Sequence, residues 1–151
     1  MRALIQRVSN ASVKIADKTV GKTGHGLVIL LGITHDDTEA DVKYLADKCV
    51  NLRIFCDDDD KMNRSLLDIE GEALIISQFT LYGDARKGRR PGFGAAAQPD
   101  HAIPLYEKFV QAVKNCKIKV ATGEFGAKML VDIKNDGPVT LMLDTASGRF
   151  L

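Results

Sequence analysis

Two short segments carry side chains whose types and spacing suit work on an acyl carbonyl. The first is Ser77-Gln78-Phe79-Thr80-Leu81, which follows the apolar run Ala73-Leu74-Ile75-Ile76. Where a strand leaves a core, a Ser, a Gln and a Thr can aim hydroxyl, carboxamide and backbone N–H groups into a cleft. Pre-aimed donors of this kind stabilise the oxyanion of acyl transfer. A strand edge with half-buried hydroxyls would read the same way, so the pattern needs a companion. The second segment is Asn135-Asp136-Gly137-Pro138-Val139-Thr140. Asp-Gly followed by Pro suits a turn joining two strands, and a Gly-Pro bond is a place where a cis peptide can occur.

More familiar catalytic machinery is missing. The histidines are His25, His35 and His101; none has metal-ligand spacing, and no Gly-x-Ser-x-Gly elbow occurs. His25 lies between two glycines, His35 precedes Asp36-Asp37, and His101 lies near a helix start, so each reads as a surface residue. The run Asp57-Asp58-Asp59-Asp60 invites calcium, yet an EF-hand loop begun at Asp57 would need Gly at Met62 and Glu at Asp68. A solvated turn is the expectation there, with no metal and no cofactor implied. Cys49, Cys56 and Cys116 form an odd set without a Cys-x-x-Cys pair, which argues against a disulfide framework or zinc knuckle and for reduced thiols in the cytoplasm.

Gly83 to Gln98 holds four glycines, three consecutive alanines and the cluster Arg86-Lys87-Gly88-Arg89-Arg90. Long loops are uncommon without a task. Four cations against the single acid Asp84 make a local patch suited to phosphates, although a charge run by itself is equally well a solvated surface.

These segments must be positioned by a modest scaffold. Strands are expected at Ala3–Val8 and Ala11–Ile15 with a hairpin turn at Ser9-Asn10, at Leu27–Leu31, Arg53–Cys56 and Ala73–Leu81, and at Met129–Ile133 and Val139–Leu143 around the Gly-Pro turn. The continuously apolar Leu27–Leu31 predicts a strand covered on both faces. Val42, Leu45, Ala46, Cys49 and Leu52 recur at helical spacing after a start at Thr38; Ala102, Leu105, Tyr106, Phe109, Val113 and Cys116 mark a second helix, with Pro99 and Pro104 at its beginning. The expected architecture is α+β: one domain over residues 1–151, a strand-rich curved sheet or partial barrel with two packed helices. At 151 residues, 45% hydrophobic and 27% charged, the chain can bury a sizeable core. A formal net charge of +1 announces no nucleic acid, so any RNA surface must be local. No apolar run approaches the length needed to cross a bilayer, and no membrane association is expected.

The pairing of Ser-Gln-Phe-Thr-Leu with Asn-Asp-Gly-Pro-Val-Thr resembles the D-aminoacyl-tRNA deacylase family. The likeness continues through Ala3–Val8, Ala11-Ser12-Val13, Gly26-Leu27, Arg53-Ile54-Phe55, Lys61-Met62-Asn63, Gly88, Arg90-Pro91, Pro99-Asp100 and Thr122-Gly123-Glu124-Phe125. It implies hydrolysis of the ester between a D-amino acid and the tRNA acceptor end, by a homodimer. It also implies that Gly137 and Pro138, joined by a cis peptide, enter the partner's site and exclude L-amino acids by their carbonyls, a filter glycine should escape. Arg7 would orient that element, Phe125 and Met129 would wall the terminal adenosine, and Arg86, Lys87, Arg89 and Arg90 would meet tRNA. Ser77, Gln78, Phe79 and Thr80 would serve the chemical step, with the amides of Phe79 and Thr80 as oxyanion donors rather than Thr80 as nucleophile. Tyr82-Gly83 and Gly92 depart from the pattern, and the tail Ala146–Leu151 has no counterpart in it. Two other readings are open at this stage: a relative with a trans Gly-Pro bond that removes L-alanine, and a module that binds the acceptor end without turnover.

Overall fold

The computed structural model describes residues 1–146 and 148–150, the side chain of Phe150 apart. Among the described residues, three groups of three strands are separated by two helices: β1 (Arg2–Ile15), β2 (Lys18–Thr23), β3 (Gly26–Gly32), α1 (Glu39–Asn51), β4 (Phe55–Cys56), β5 (Met62–Arg64), β6 (Glu72–Ser77), α2 (Pro99–Asn115), β7 (Lys119–Thr122), β8 (Leu130–Ala146) and β9 (Arg149–Phe150). The main sheet runs β7-β6-β3-β1-β8-β9, with β2 pairing the outer half of β1, while β4 and β5 form a separate ribbon. The pairs β3–β6 and β6–β7 are parallel, and the other pairs of the main sheet are antiparallel. Curvature brings β2 back against β7. A methyl group at Gly21 of β2 would sit 2.5 Å from the Thr122 carbonyl oxygen of β7, so only glycine allows this approach. The expected curved α+β sheet with two helices is what the chain forms.

Strand alternation divides the apolar side chains between two cores. On β3, Leu27, Ile29 and Leu31 join the larger core under the helices, while Val28 and Leu30 turn into a smaller core within the curve of the sheet. On β6, Ala73 and Ile75 face the helices, and Leu74 and Ile76 face inward. The continuously apolar sequence of β3 thus has the covering on both faces that its composition demands. Val42, Leu45, Ala46 and Cys49 of α1 and Ala102, Leu105, Tyr106, Phe109 and Val113 of α2 complete the larger core. Burial pushes the Cys49 thiol up to about 12. Asp41 closes the start of α1 by accepting hydrogen bonds from the Thr38 N–H (3.0 Å) and hydroxyl (2.9 Å). No described helix is long and apolar enough to cross a membrane.

Several local expectations are corrected. Ser9-Asn10 is no hairpin turn: β1 runs unbroken through it, with register shifts on either side of Val8. The Gly-Pro segment does not join two strands either. Both halves of β8 pair with β1 in the same direction, and the five-residue step from Asn135 to Thr140 faces a two-residue step from Val8 to Gln6. It is an enlarged bulge, residues 136–139 lying opposite Arg7, and local sequence does not distinguish it from a turn because Gly and Pro suit both. The expected strand Ala73–Leu81 stops at Ser77, Arg53–Cys56 shortens to Phe55–Cys56, and Pro104 lies inside α2. β2, β5, β7 and β9 were not anticipated. Of the tail, Ser147 and Leu151 lie outside the described residues.

Candidate active site

At the end of β6 the chain holds to the sheet for one further residue, the Gln78 N–H donating to the Leu31 carbonyl at 2.8 Å. It then turns into a single 3-10 turn, Phe79–Tyr82, closed by Leu81 N–H to Gln78 O (3.3 Å) and Gly83 N–H to Thr80 O (2.9 Å). The N–H groups of Phe79 and Thr80 open this turn, so by position they have no carbonyl within it to bond. Beside them lies a cleft of about 250 Å³. Leu31, Ile33, Ile76 and Ala102 form its apolar floor, Phe125, Ala127 and Met129 its far wall, and Ser77, Gln78 and Phe79 its polar rim.

The wall is held from behind. Tyr106 of α2 donates its hydroxyl to the Ile75 carbonyl of β6 at 2.8 Å, and its ring meets Phe125 edge-on at 5.9 Å. Burial pushes the Tyr106 phenol up to about 12, so it remains a donor across the neutral range. Met129 lies over Gly123, where a Cβ would fall 2.3 Å from its sulfur. A bare backbone at Gly123 is what admits the thioether.

The Thr80 hydroxyl accepts a hydrogen bond from the Gln78 carboxamide N–H. A carboxamide donor cannot take a proton from a nucleophile, so this contact orients Thr80 without activating it. The histidines lie elsewhere: His35 Nε2 bonds Gly94 O at 2.9 Å, His101 Nε2 bonds Asp37 O at 3.1 Å, and the His25 ring meets Phe55 edge-on. Asp57 folds over its own turn, accepting from the N–H groups of Asp59 and Lys61 at 3.0 Å each. Among the described residues no cluster of His, Cys, Asp and Glu is suited to a metal.

Gly137 and Pro138 are exposed and form no part of this cleft. Their peptide bond is cis. Arg7, 9% exposed, braces them from below. Its Nη1 donates to the Ile54 carbonyl at 2.7 Å, and its Nε reaches the Asp136 carboxylate at 2.9 Å and the Asp136 carbonyl at 3.2 Å. Asn135 ties the two ends of the bulge, its amide donating to Arg7 O (2.8 Å) and Val139 O (3.1 Å). The structure therefore collects Ser77, Gln78, Phe79, Phe125 and Met129 in one cleft with Thr80 at its edge, and sets Arg7, Gly137 and Pro138 apart from it.

The cationic loop is pinched at its root by two backbone hydrogen bonds between Asp84 and Gly92, both 2.8 Å. Arg86 lies back on Asp84 with Nη2 to Oδ2 at 2.7 Å, and holds that carboxyl down to about 2. Lys87, Arg89 and Arg90 are exposed and make no ion pair among the described residues.

The profile of the family described as D-Tyr-tRNA(Tyr) deacylase matches residues 4–144. The chain belongs to the D-Tyr-tRNA(Tyr) deacylase family. It is 63% identical over 145 residues to a D-aminoacyl-tRNA deacylase of Thermosipho africanus (strain TCF52B), covering 96% of this chain and 97% of that one. A protein of the same name from Thermus aquaticus is 58% identical over 146 residues, 97% of this chain and 96% of the other. Among solved structures, one described as c-Myc DNA Unwinding Element Binding Protein superposes with a TM-score of 0.90 at 36% identity, over 97% of this chain and 100% of its own. The family match ends at residue 144, short of the tail Ala146–Leu151, for which the resemblance offered no counterpart. Sequence reasoning missed three supporting residues. Tyr106 read only as helix core, Gly123 only as part of a motif, and Asn135 as a turn former; the close contacts that give them a role at the site are tertiary.

Proposed function

We propose that this protein hydrolyses the ester of D-aminoacyl-tRNA, adding water across the acyl bond to release free D-amino acid and tRNA with its 3′-hydroxyl. The observation that carries the reading is the rim of the cleft: Ser77–Thr80 leaves the strand for a 3-10 turn beside an apolar recess that Ser77, Gln78 and Phe79 line, and Thr80 bonds the Gln78 carboxamide rather than a base. Two amides and an already activated ester account for catalysis without a side-chain nucleophile. Each donor of this type contributes roughly 3–4 kcal/mol to the transition state. The adenine of the substrate's terminal nucleotide enters between Phe125 and Met129. Its ribose 2′-hydroxyl, both donor and acceptor, assists the attacking water.

Stereochemical choice, in this reading, comes from a second copy. Gly137 and Pro138 are exposed and braced, yet line no part of their own chain's cleft, which suits an element that works in a partner's site. Exposed Leu130, Leu141 and Met142 on the same strand supply apolar surface for such a homodimer. Carbonyls of the partner's Gly137-Pro138 occupy the space an L-side chain would need, so any D-side chain, and glycine, is accepted. The cations Arg86, Lys87, Arg89 and Arg90 would meet the phosphates of the acceptor end.

The test is deacylation of D-Tyr-tRNA, L-Tyr-tRNA and Gly-tRNA by the purified protein, with sedimentation in parallel. Turnover of the D and glycyl esters alone, by a dimer, is expected. Equal release of both tyrosine enantiomers, or full activity from a monomer, would remove the cross-subunit filter, and L-Ala-tRNA turnover would favour the reading as a relative that removes L-alanine.

A further inference from the structure

Phe79 is a large aromatic that is 57% exposed, and its ring does not lie bare: Phe93 meets it edge-to-face, centroids 5.1 Å apart at 71°. The pair stands between two features that the reading above assigns to one substrate. Phe79 borders the cleft, and Phe93 immediately follows Gly92, the root of the cationic loop. Gly83 makes the arrangement possible, since the Phe93 ring edge lies 3.1 Å from where a Cβ at Gly83 would project. An edge-to-face pair covers one face of one ring and leaves the other faces uncovered by the pair itself.

We propose that Phe79 and Phe93 form a stacking shelf for the base of the nucleotide that precedes the terminal adenosine, from which the strand passes on to Lys87, Arg89 and Arg90. The proposal rests on the deacylase reading and extends it to a second nucleotide subsite. The occupant is single-stranded nucleic acid because the exposed Phe79 and its half-buried partner Phe93 lead into Lys87, Arg89 and Arg90, which have no acidic partner among the described residues. That combination, a stacking surface leading into a positive loop, grips unpaired bases with little regard to their identity. A base still paired in a duplex could not offer its face to the shelf, so the site takes a frayed or naturally single-stranded end.

The experiment compares two substrates, D-tyrosyl-adenosine and the D-tyrosyl ester of the trinucleotide CCA, on the full chain and on Phe93→Ala, Phe93→Leu and Phe93→Tyr. Phe79 is left intact because its amide belongs to the proposed oxyanion site. The native protein should show a higher kcat/KM for the trinucleotide. Phe93→Ala should shrink that advantage about tenfold, the factor that ~1.4 kcal/mol represents and within the range for one stacked base. Phe93→Leu should shrink it while keeping apolar bulk, and Phe93→Tyr should restore it. Equal use of both substrates by the native protein, or a proportional loss on both in Phe93→Ala, would overturn the shelf and leave the deacylase reading standing. A shift of Phe93→Ala to lower mass in sedimentation would show that a second copy covers these rings, and would overturn it too. Failure of the native protein on both esters would overturn both readings.

Discussion

At Ser77 β6 ends within the molecule, beside two cores, whereas at Asn135 β8 leaves the sheet in the open and rejoins it at Thr140. In the function proposed above, both departures serve through their main chain. They are fixed in opposite ways. The β6 end is held by burial and by one backbone hydrogen bond, Gln78 N–H to Leu31 O, with Tyr106 supporting it through Ile75. The β8 bulge is anchored in the core only through Val139, and its exposed Gly137-Pro138 part relies on two side chains, Arg7 and Asn135. A protein that recognises by backbone must immobilise that backbone, and packing or charge-assisted hydrogen bonding can each do so.

If that contrast holds, the bulge is the more vulnerable region. Arg7→Ala should strand the Ile54 carbonyl and the Asp136 carboxylate, losing charge-assisted bonds worth about 1.5–3 kcal/mol. Discrimination between D- and L-Tyr-tRNA should then fall by roughly ten- to a hundredfold. Lysine should rescue little, because one ammonium cannot hold Ile54 and Asp136 together as the forked guanidinium does. Undiminished selectivity in Arg7→Ala would break the comparison.

The cleft wall should respond through packing. Gly123→Ala pushes aside the flexible end of Met129 and should cost no more than about 1 kcal/mol, read as a slightly lower denaturant midpoint together with a raised KM. An unchanged midpoint would mean that Met129 moves freely. Tyr106→Phe removes one buried hydroxyl and should lower stability by about 1 kcal/mol, with a melting shift of a few degrees and enantiomer selectivity retained. Loss of selectivity there would show that the two regions are coupled. The smallest effect is expected at Thr80. If the amides do the chemistry, Thr80→Ala should keep kcat within a few-fold; a loss of several orders of magnitude with folding and tRNA binding intact would make the hydroxyl a participant.

Much of this arrangement was legible in the residues, and what was not has a consistent cause. Both helices follow from 3.6-residue periodicity, and β3 from its unbroken apolar run. The two motifs were recognisable by type and order. What failed was continuity: Ser9-Asn10 and Asn135–Pro138 both look like turns, yet β1 and β8 continue beyond them in the same direction, with shifted register. A turn and a bulge share the same local chemistry, and the choice between them is made by the neighbouring strand. β2 and β7 escaped notice because their alternation is short and mixed with lysine and glycine. The distance between Gly137-Pro138 and the cleft could not be read from spacing at all.

The sequence by itself determined the family, the fold class, the helices and the segments that carry the chemistry, because each is written in local residue type and period. Tertiary structure alone decided that Phe125 and Met129 meet Ser77–Phe79 across a cleft, that Arg7 reaches Asp136, and that Phe93 joins Phe79. Those contacts link residues far apart in the chain, and their geometry is set by how the sheet curves and which strands pair, quantities no local stretch encodes.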